Sequence, residues 1–185
     1  THQLTVNQRP LNATLARQYD GTTASAGSTL SSFDALQGGE TLTMTGSGTA
    51  ASANVANGIA MSSNGNLALA DGTGAASNYS LNSTVINVTQ RPISVSGTRL
   101  YDATTNAVAS DLSTHANLVG SETLNLSGTG TIASKDVGSN KTVSVGTLAL
   151  ADGTNGGLAA NYTLSGGTHQ LTVNQRPLNA TLARQ

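Results

Sequence analysis

Three histidines and nine acidic residues are the only candidates for acid, base or ligand chemistry in this 185-residue chain. The stretch Asp111-Leu-Ser-Thr-His115 holds the three residue types of a hydrolytic triad. Triad geometry is assembled in space and not along five consecutive residues, so this stretch reads as a surface loop. "GSGTAA" at 46–51 and "GTGTIA" at 128–133 lack a third glycine and a following helix, which a dinucleotide-binding turn needs. "ADGTG" at 70–74 offers a single carboxylate, whereas calcium needs several oxygen ligands, so it reads as a turn. No catalytic residue, no cofactor site and no metal site is expected, and the chain does not read as an enzyme.

Four tyrosines, Tyr19, Tyr79, Tyr101 and Tyr162, are all but one of the aromatic residues. Exposed rings would make a platform for sugar stacking. Buried ones would anchor a core that has few other large side chains, and this is the preferred reading. Asp20 and Asp102 directly follow two of the tyrosines, where a short carboxylate caps a turn through the backbone. Eight Asn-x-Ser/Thr triplets are present, but a chain so rich in Asn, Ser and Thr supplies many by chance, and no one position stands out. An isopeptide staple needs lysine in every copy of a repeat, and Lys135 and Lys141 both lie in the second half.

These residues recur because the chain repeats. Thr1–Gln18 and Thr168–Gln185 are identical, a period of 167 residues. Inside it runs a weaker one. "RPLNATLARQYDGTT" from Arg9 is echoed from Arg91, "ETLTMTGSGTAAS" from Glu40 is echoed from Glu122, "LALADGT" from Leu67 recurs at Leu148, and "NYSL" at Asn78 becomes "NYTL" at Asn161. The offsets of 81 to 83 residues preserve order and spacing, so two divergent copies of one domain are present.

Within each copy, apolar and polar residues alternate in "TLTMTGSGT", "KTVSVGTLAL", "STVINVTQ" and "HQLTVNQ". Turn signals separate these runs, at Asp20-Gly21, Asn57-Gly58, Asn64-Gly65, Asp71-Gly72, Val137–Asn140 and Asp152-Gly153. "SSFDALQ" around Phe33 offers one helical turn at most. The expected fold is all-β: small antiparallel sandwiches of the immunoglobulin type in an elongated array, with β-grasp-like repeats as the alternative. Arg9-Pro10, Arg91-Pro92 and Arg176-Pro177 each follow Gln, and proline keeps the preceding residue extended, so these pairs are expected to form stiff joints between domains. On that division residues 1–9 close a preceding repeat, 10–90 and 91–175 are two domains, and 176–185 begin another. The lack of an initiator Met and of a secretory signal suggests an excerpt whose period continues in both directions.

"RQYDGTT" and "RLYDATT", the "GSGTAAS" and "GTGTIAS" centres, and Asn78-Tyr79 and Asn161-Tyr162 resemble the YDG repeats, relatives of the MBG repeats. Such repeats occur in large secreted bacterial adhesins of the filamentous-haemagglutinin type. The resemblance implies an extracellular β-rich stalk module in which Tyr19, Asp20, Gly21, Tyr101, Asp102, Asn78, Tyr79, Asn161 and Tyr162 are structural. The second copy departs from the motif with Ala103 in place of Gly.

The bulk properties fit that expectation. A net charge of −1 with scattered basic residues argues against nucleic acid, and no apolar run is long enough to span a membrane. The expected partners are further copies of the same repeat, with host or surface glycans as a further ligand class. The expected location is the bacterial surface or a secreted filament. A self-assembling fibre joined through terminal strands is the main alternative, and a weak carbohydrate-binding module the second.

Overall fold

The computed structural model describes residues 2–179. It divides into two compact units, Thr1–Gln90 and Arg91–Gln185. Both are built of strands and three-residue 3-10 turns, with no α-helix among the described residues.

Unit 1 contains β1 (Arg9–Gln18), β2 (Ala24–Ala26), β3 (Leu30–Phe33), β4 (Leu42–Thr45), β5 (Ser47–Ala50), β6 (Ala56–Ser63), β7 (Ala68–Asp71) and β8 (Tyr79–Thr89). Six of them form one sheet in the order β2-β5-β6-β8-β1-β3, and β4 pairs with β7 in a separate ribbon. Unit 2 contains β9 (Arg91–Pro92), β10 (Ser94–Leu100), β11 (Asn106–Val108), β12 (Thr114–Ala116), β13 (Leu124–Ser127), β14 (Thr129–Ile132), β15 (Gly138–Ser144), β16 (Ala149–Asp152), β17 (Tyr162–Thr163) and β18 (Gln170–Asn174). Its sheet, β11-β14-β15-β18-β10-β12, and its ribbon, β13-β16, repeat the plan of unit 1. The counterparts of β1 and β8 are each broken in two, as β9 with β10 and β17 with β18.

The alternation of side chains explains which face each strand buries. In β1, Leu11, Ala13 and Leu15 are buried while their neighbours face outward, and β8 contributes Ile86 and Val88 to the same layer. In β4, Leu42 and Met44 turn inward and Thr43 and Thr45 outward. Leu11, Leu42 and Tyr79 form a cluster against which Phe33, Leu36 and Leu69 pack, so the ribbon covers one part of the sheet. Gly46 makes the corner between β4 and β5 at φ 78, where an added Cβ would lie 2.1 Å from the Asn66 carbonyl oxygen. Gly128 makes the same corner in unit 2.

The sheets differ from the all-antiparallel expectation in one place. The first and last long strands of each unit lie side by side at its centre and run parallel. In unit 1 the pairing goes from Arg9↔Tyr79 to Gln18↔Thr89. In unit 2 it goes from Tyr162↔Arg91 through Thr163↔Pro92, then from Ser96↔Gln170 to Leu100↔Asn174. Parallel neighbours need a long connection, and here the whole intervening unit provides it.

Two expected turns are bulges instead. Asn57-Gly58 lies inside β6, where the register shifts between Ala56 and Ile59, and Val137–Asn140 meets a shift between Gly138 and Lys141 in β15. Gly58 and Asn140 have positive φ, which an extra residue in a strand demands as readily as a turn does. The freed N–H of Gly58 donates to Asn87 Oδ1 (2.8 Å), and that of Asn140 to Thr172 Oγ1 (3.1 Å).

Residues 2–8 are in no strand, and Arg9 and Pro10 are the first two residues of β1. Arg91 and Pro92 form β9. Arg176 and Pro177 follow β18 in no strand, and of the expected strand at 176–185, residues 180–185 lie outside the described residues.

Candidate functional site

Two polar constellations recur in both units, one at each end of the central parallel pair. The first surrounds the start of β1 and of β9. Arg9 Nε donates to the Ala35 carbonyl (2.8 Å), and Arg91 Nε to that of Asn117 (2.7 Å). Beside it, the Tyr79 hydroxyl donates to the Glu40 carboxylate and accepts the Gln37 N–H (3.3 Å). Unit 2 repeats this with Tyr162 Oη donating to Glu122 Oε2 (2.6 Å) and accepting the Val119 N–H (3.0 Å). The Glu40 hydrogen bond, reinforced by burial, holds the Tyr79 hydroxyl above its ordinary pKa.

Carboxylates around this end serve backbone N–H groups. Asp71 Oδ1 accepts from Ala76 N–H (2.7 Å), and Asp152 Oδ1 from Ala159 N–H (2.7 Å), at the starts of the 3-10 turns Ala76–Asn78 and Ala159–Asn161. Asn78 is exposed and Asn161 buried. Asp34 takes the N–H (2.6 Å) and Nδ2 (2.7 Å) of Asn12, which lower its pKa. A cleft of about 450 Å³ opens here, lined by Gln8, Arg9, Gln37, Glu40 and Asn78 among others.

The second constellation closes the other end of the pair. Tyr19 N–H donates to Thr89 O (2.9 Å), and Tyr101 N–H to Asn174 O (2.9 Å), so the tyrosines continue the ladder one step beyond the strands. The chain then reverses around an aspartate. Asp20 Oδ1 accepts the Thr22 N–H (2.9 Å) and hydroxyl (3.0 Å), and Asp102 Oδ1 does the same for Thr104 (2.9 and 3.0 Å). Arg17 pairs with Asp20 and donates to the Thr22 carbonyl. Arg99, 9% exposed, pairs with Asp102 and donates to Thr104 O (2.7 Å) and Oγ1 (3.0 Å). Burial pushes Asp20 up, but the Thr22 bonds and Arg17 outweigh it and hold the carboxyl below its ordinary pKa. The Thr104 N–H does most to lower Asp102.

Gly21 and Ala103 sit between Asp and Thr at φ 76 and 65. The left-handed conformation is therefore kept in unit 2 without glycine. Tyr19, Tyr79 and Tyr162 are buried, which withdraws their faces from any sugar platform, while Tyr101 is half-buried beside Val137, Gln175, Arg176 and Leu178. Asp111 ends a 3-10 turn and His115 stands in edge strand β12 opposite Val95. Among the described residues no cluster of three or more His, Cys, Asp or Glu is placed to hold a metal ion, and no helix is long and apolar enough to cross a membrane.

Motif reading singled out Tyr, Asp, Gly and Asn but passed over their partners Arg17, Arg99, Glu40 and Glu122. The signal was available: in a chain only 9% charged, both arginines and both glutamates recur at an offset of 82 residues. Against known protein families, residues 3–86 and 87–170 each match the family described as the YDG domain. No curated protein and no solved structure matches the chain.

Proposed function

With two consecutive YDG domains spanning nearly all of it, the chain belongs to the YDG domain family, and we propose that it is a non-catalytic, length-adding module of an extracellular bacterial fibre or adhesin stalk. The observation that carries this reading is the central parallel pair. Because β1 and β8 run the same way, a unit is entered at one end of its sheet and left at the other. Ten residues of β1 rise by about 30 Å. Each unit therefore holds its own entry and exit roughly a strand length apart, which is what a stalk requires and a compact binding domain does not. Repetition converts units with modest cores into length, as in other one-dimensional arrays. The carboxylates support the same reading, since Asp20, Asp34, Asp71, Asp102 and Asp152 all accept hydrogen bonds from the chain's own N–H groups. A parallel pair at the middle of the sheet favours a β-grasp-like repeat over an immunoglobulin-like sandwich.

The stalk belongs, on this reading, to a surface or secreted adhesin of the filamentous-haemagglutinin type, with roles in adhesion or biofilm matrix. A second reading, strand donation between chains, has one observation in its favour. Leu4 and Val6 are 89% and 85% exposed, yet the identical Leu171 and Val173 in β18 are 0% and 1% exposed. The same residues form a central strand where a unit surrounds them, and a strand of this sequence can add to the sheet of a second chain. Sedimentation velocity over a wide concentration range separates the two. The stalk reading expects a monomer throughout; concentration-dependent polymers that vanish on Leu4→Asp with Val6→Asp would replace it with strand donation.

A further inference from the structure

We infer that the central parallel pair of each unit is a force-bearing clamp, and that the two units of this chain are clamps of unequal strength. In unit 1 the entering strand β1 and the leaving strand β8 are neighbours over ten residue pairs, with one register shift between Leu11 and Asn12. Tension applied through the chain pulls β1 from its Arg9 end and β8 from its Thr89 end. The two strands must then slide past each other, and all the ladder bonds between them share the load at once. An antiparallel hairpin pulled from its open end loses its bonds one after another. Forced unfolding depends on the barrier to the first disruptive step, so a shared load raises the force and a sequential one does not.

Two further observations fit this role. The paired strands are the inner ones of the sheet, flanked by β6 and β3. Leu11, Leu15, Ile86 and Val88 on them are at most 1% exposed, so one face of the pair is sealed by the core and water reaches the ladder from the other face alone.

Unit 2 has the same design with a gap. Its parallel pairing is two residue pairs at β9 and β17 and five at β10 and β18, interrupted by residues 164–169. His169 spans that gap. Its Nδ1 accepts the Val95 N–H (3.3 Å), its Nε2–H donates to Leu164 O (2.9 Å), and the ring is 5% exposed. The neighbouring Thr168 N–H donates to Ser94 Oγ (2.9 Å). The Val95 bond links the entering strand to the leaving segment across the break in the ladder, and the Leu164 bond fixes the ring within that segment. In unit 1 the counterpart by alignment is Thr84, within an unbroken strand, where no such cross-link is needed. His169 is accordingly a positioning residue of the unit 2 clamp.

The stalk reading supplies only the reason why force would arrive through the chain ends. A stalk is tested by length and a clamp by force, so either can fail without the other. The experiment is single-molecule force spectroscopy on the full chain, held by handles at its two ends. Two unfolding events of unequal force are expected. Because the chain has no cysteine, handles can also be placed through Ala56→Cys with Thr89→Cys. These positions lie at the same edge of the antiparallel β6·β8 pair, where Ala56 faces Val88. Pulling there should open unit 1 at a several-fold lower force than pulling through the ends. His169→Ala should lower the weaker event and leave the stronger unchanged, and His169→Asn, which keeps a donor and an acceptor, should restore part of it. Should His169→Ala leave unit 2 unfolded, the comparison of the two pulling directions on unit 1 still decides. Equal force in both directions, or a His169→Ala chain whose two events match the parent's, would overturn the inference.

Discussion

Ala103 holds the left-handed backbone that Gly21 holds in the other unit, at φ 65 against φ 76. A side chain with a Cβ pays for this region with about 1 kcal/mol, because the Cβ crowds the following carbonyl. Ala103→Gly should therefore stabilise unit 2, and Gly21→Ala should destabilise unit 1, each by about 1 kcal/mol less the chain-entropy difference of glycine. Chemical denaturation followed by tryptophan-free probes such as far-ultraviolet circular dichroism reads both. The aspartates at the same turns set the acid limit. Asp20, Asp34 and Asp102 have folded pKa values below their unfolded ones, so their contribution is complete above about pH 4 and is lost as pH falls through the lowered values. Asp111 works in the opposite sense, because burial raises its pKa and its ionised form costs stability above that value. The denaturation midpoint should hold or rise slightly as Asp111 protonates, then fall below about pH 4. Asp20→Asn with Asp102→Asn should flatten that fall, and an unchanged acid limb would contradict the assignment.

At the scale of elements, the strands were legible and their directions were not. Alternation in "TLTMTGSGT" marks Leu42 and Met44 as inward, and the structure buries both. Alternation says nothing of which strand lies beside which, and Arg9 finds its neighbour Tyr79 seventy residues away, so the parallel pair had no local signature. The Asn57-Gly58 signal was misread for a physical reason, since a bulge and a turn demand the same positive φ. Burial of Tyr79 and Tyr162 followed from the scarcity of aromatics, but their Glu40 and Glu122 partners lie some forty residues upstream, where pairing is invisible to motif reading. Tyr162→Phe removes the acceptor of the Val119 N–H and the donor to Glu122 together. Leaving the Val119 N–H without its acceptor costs about 1–3 kcal/mol, and thermal or chemical denaturation should show that loss confined to unit 2. A loss below about 0.5 kcal/mol would make the Tyr–Glu pair incidental.

For the whole molecule, repetition was the most legible property of all, because four motifs recur in the same order at offsets of 81 to 83 residues. What repetition accomplishes depends on where each unit is entered and left, and that is set by a strand pairing only the fold reveals. On the stalk reading, a unit is a strut with its ends apart. Small-angle X-ray scattering on chains carrying two, four and six consecutive units tests it most directly. The maximum dimension should rise in proportion to the number of units, by about 30 Å or more for each one added. A dimension growing only as the cube root of the chain mass would show units folding back on one another, and would rule out a strut.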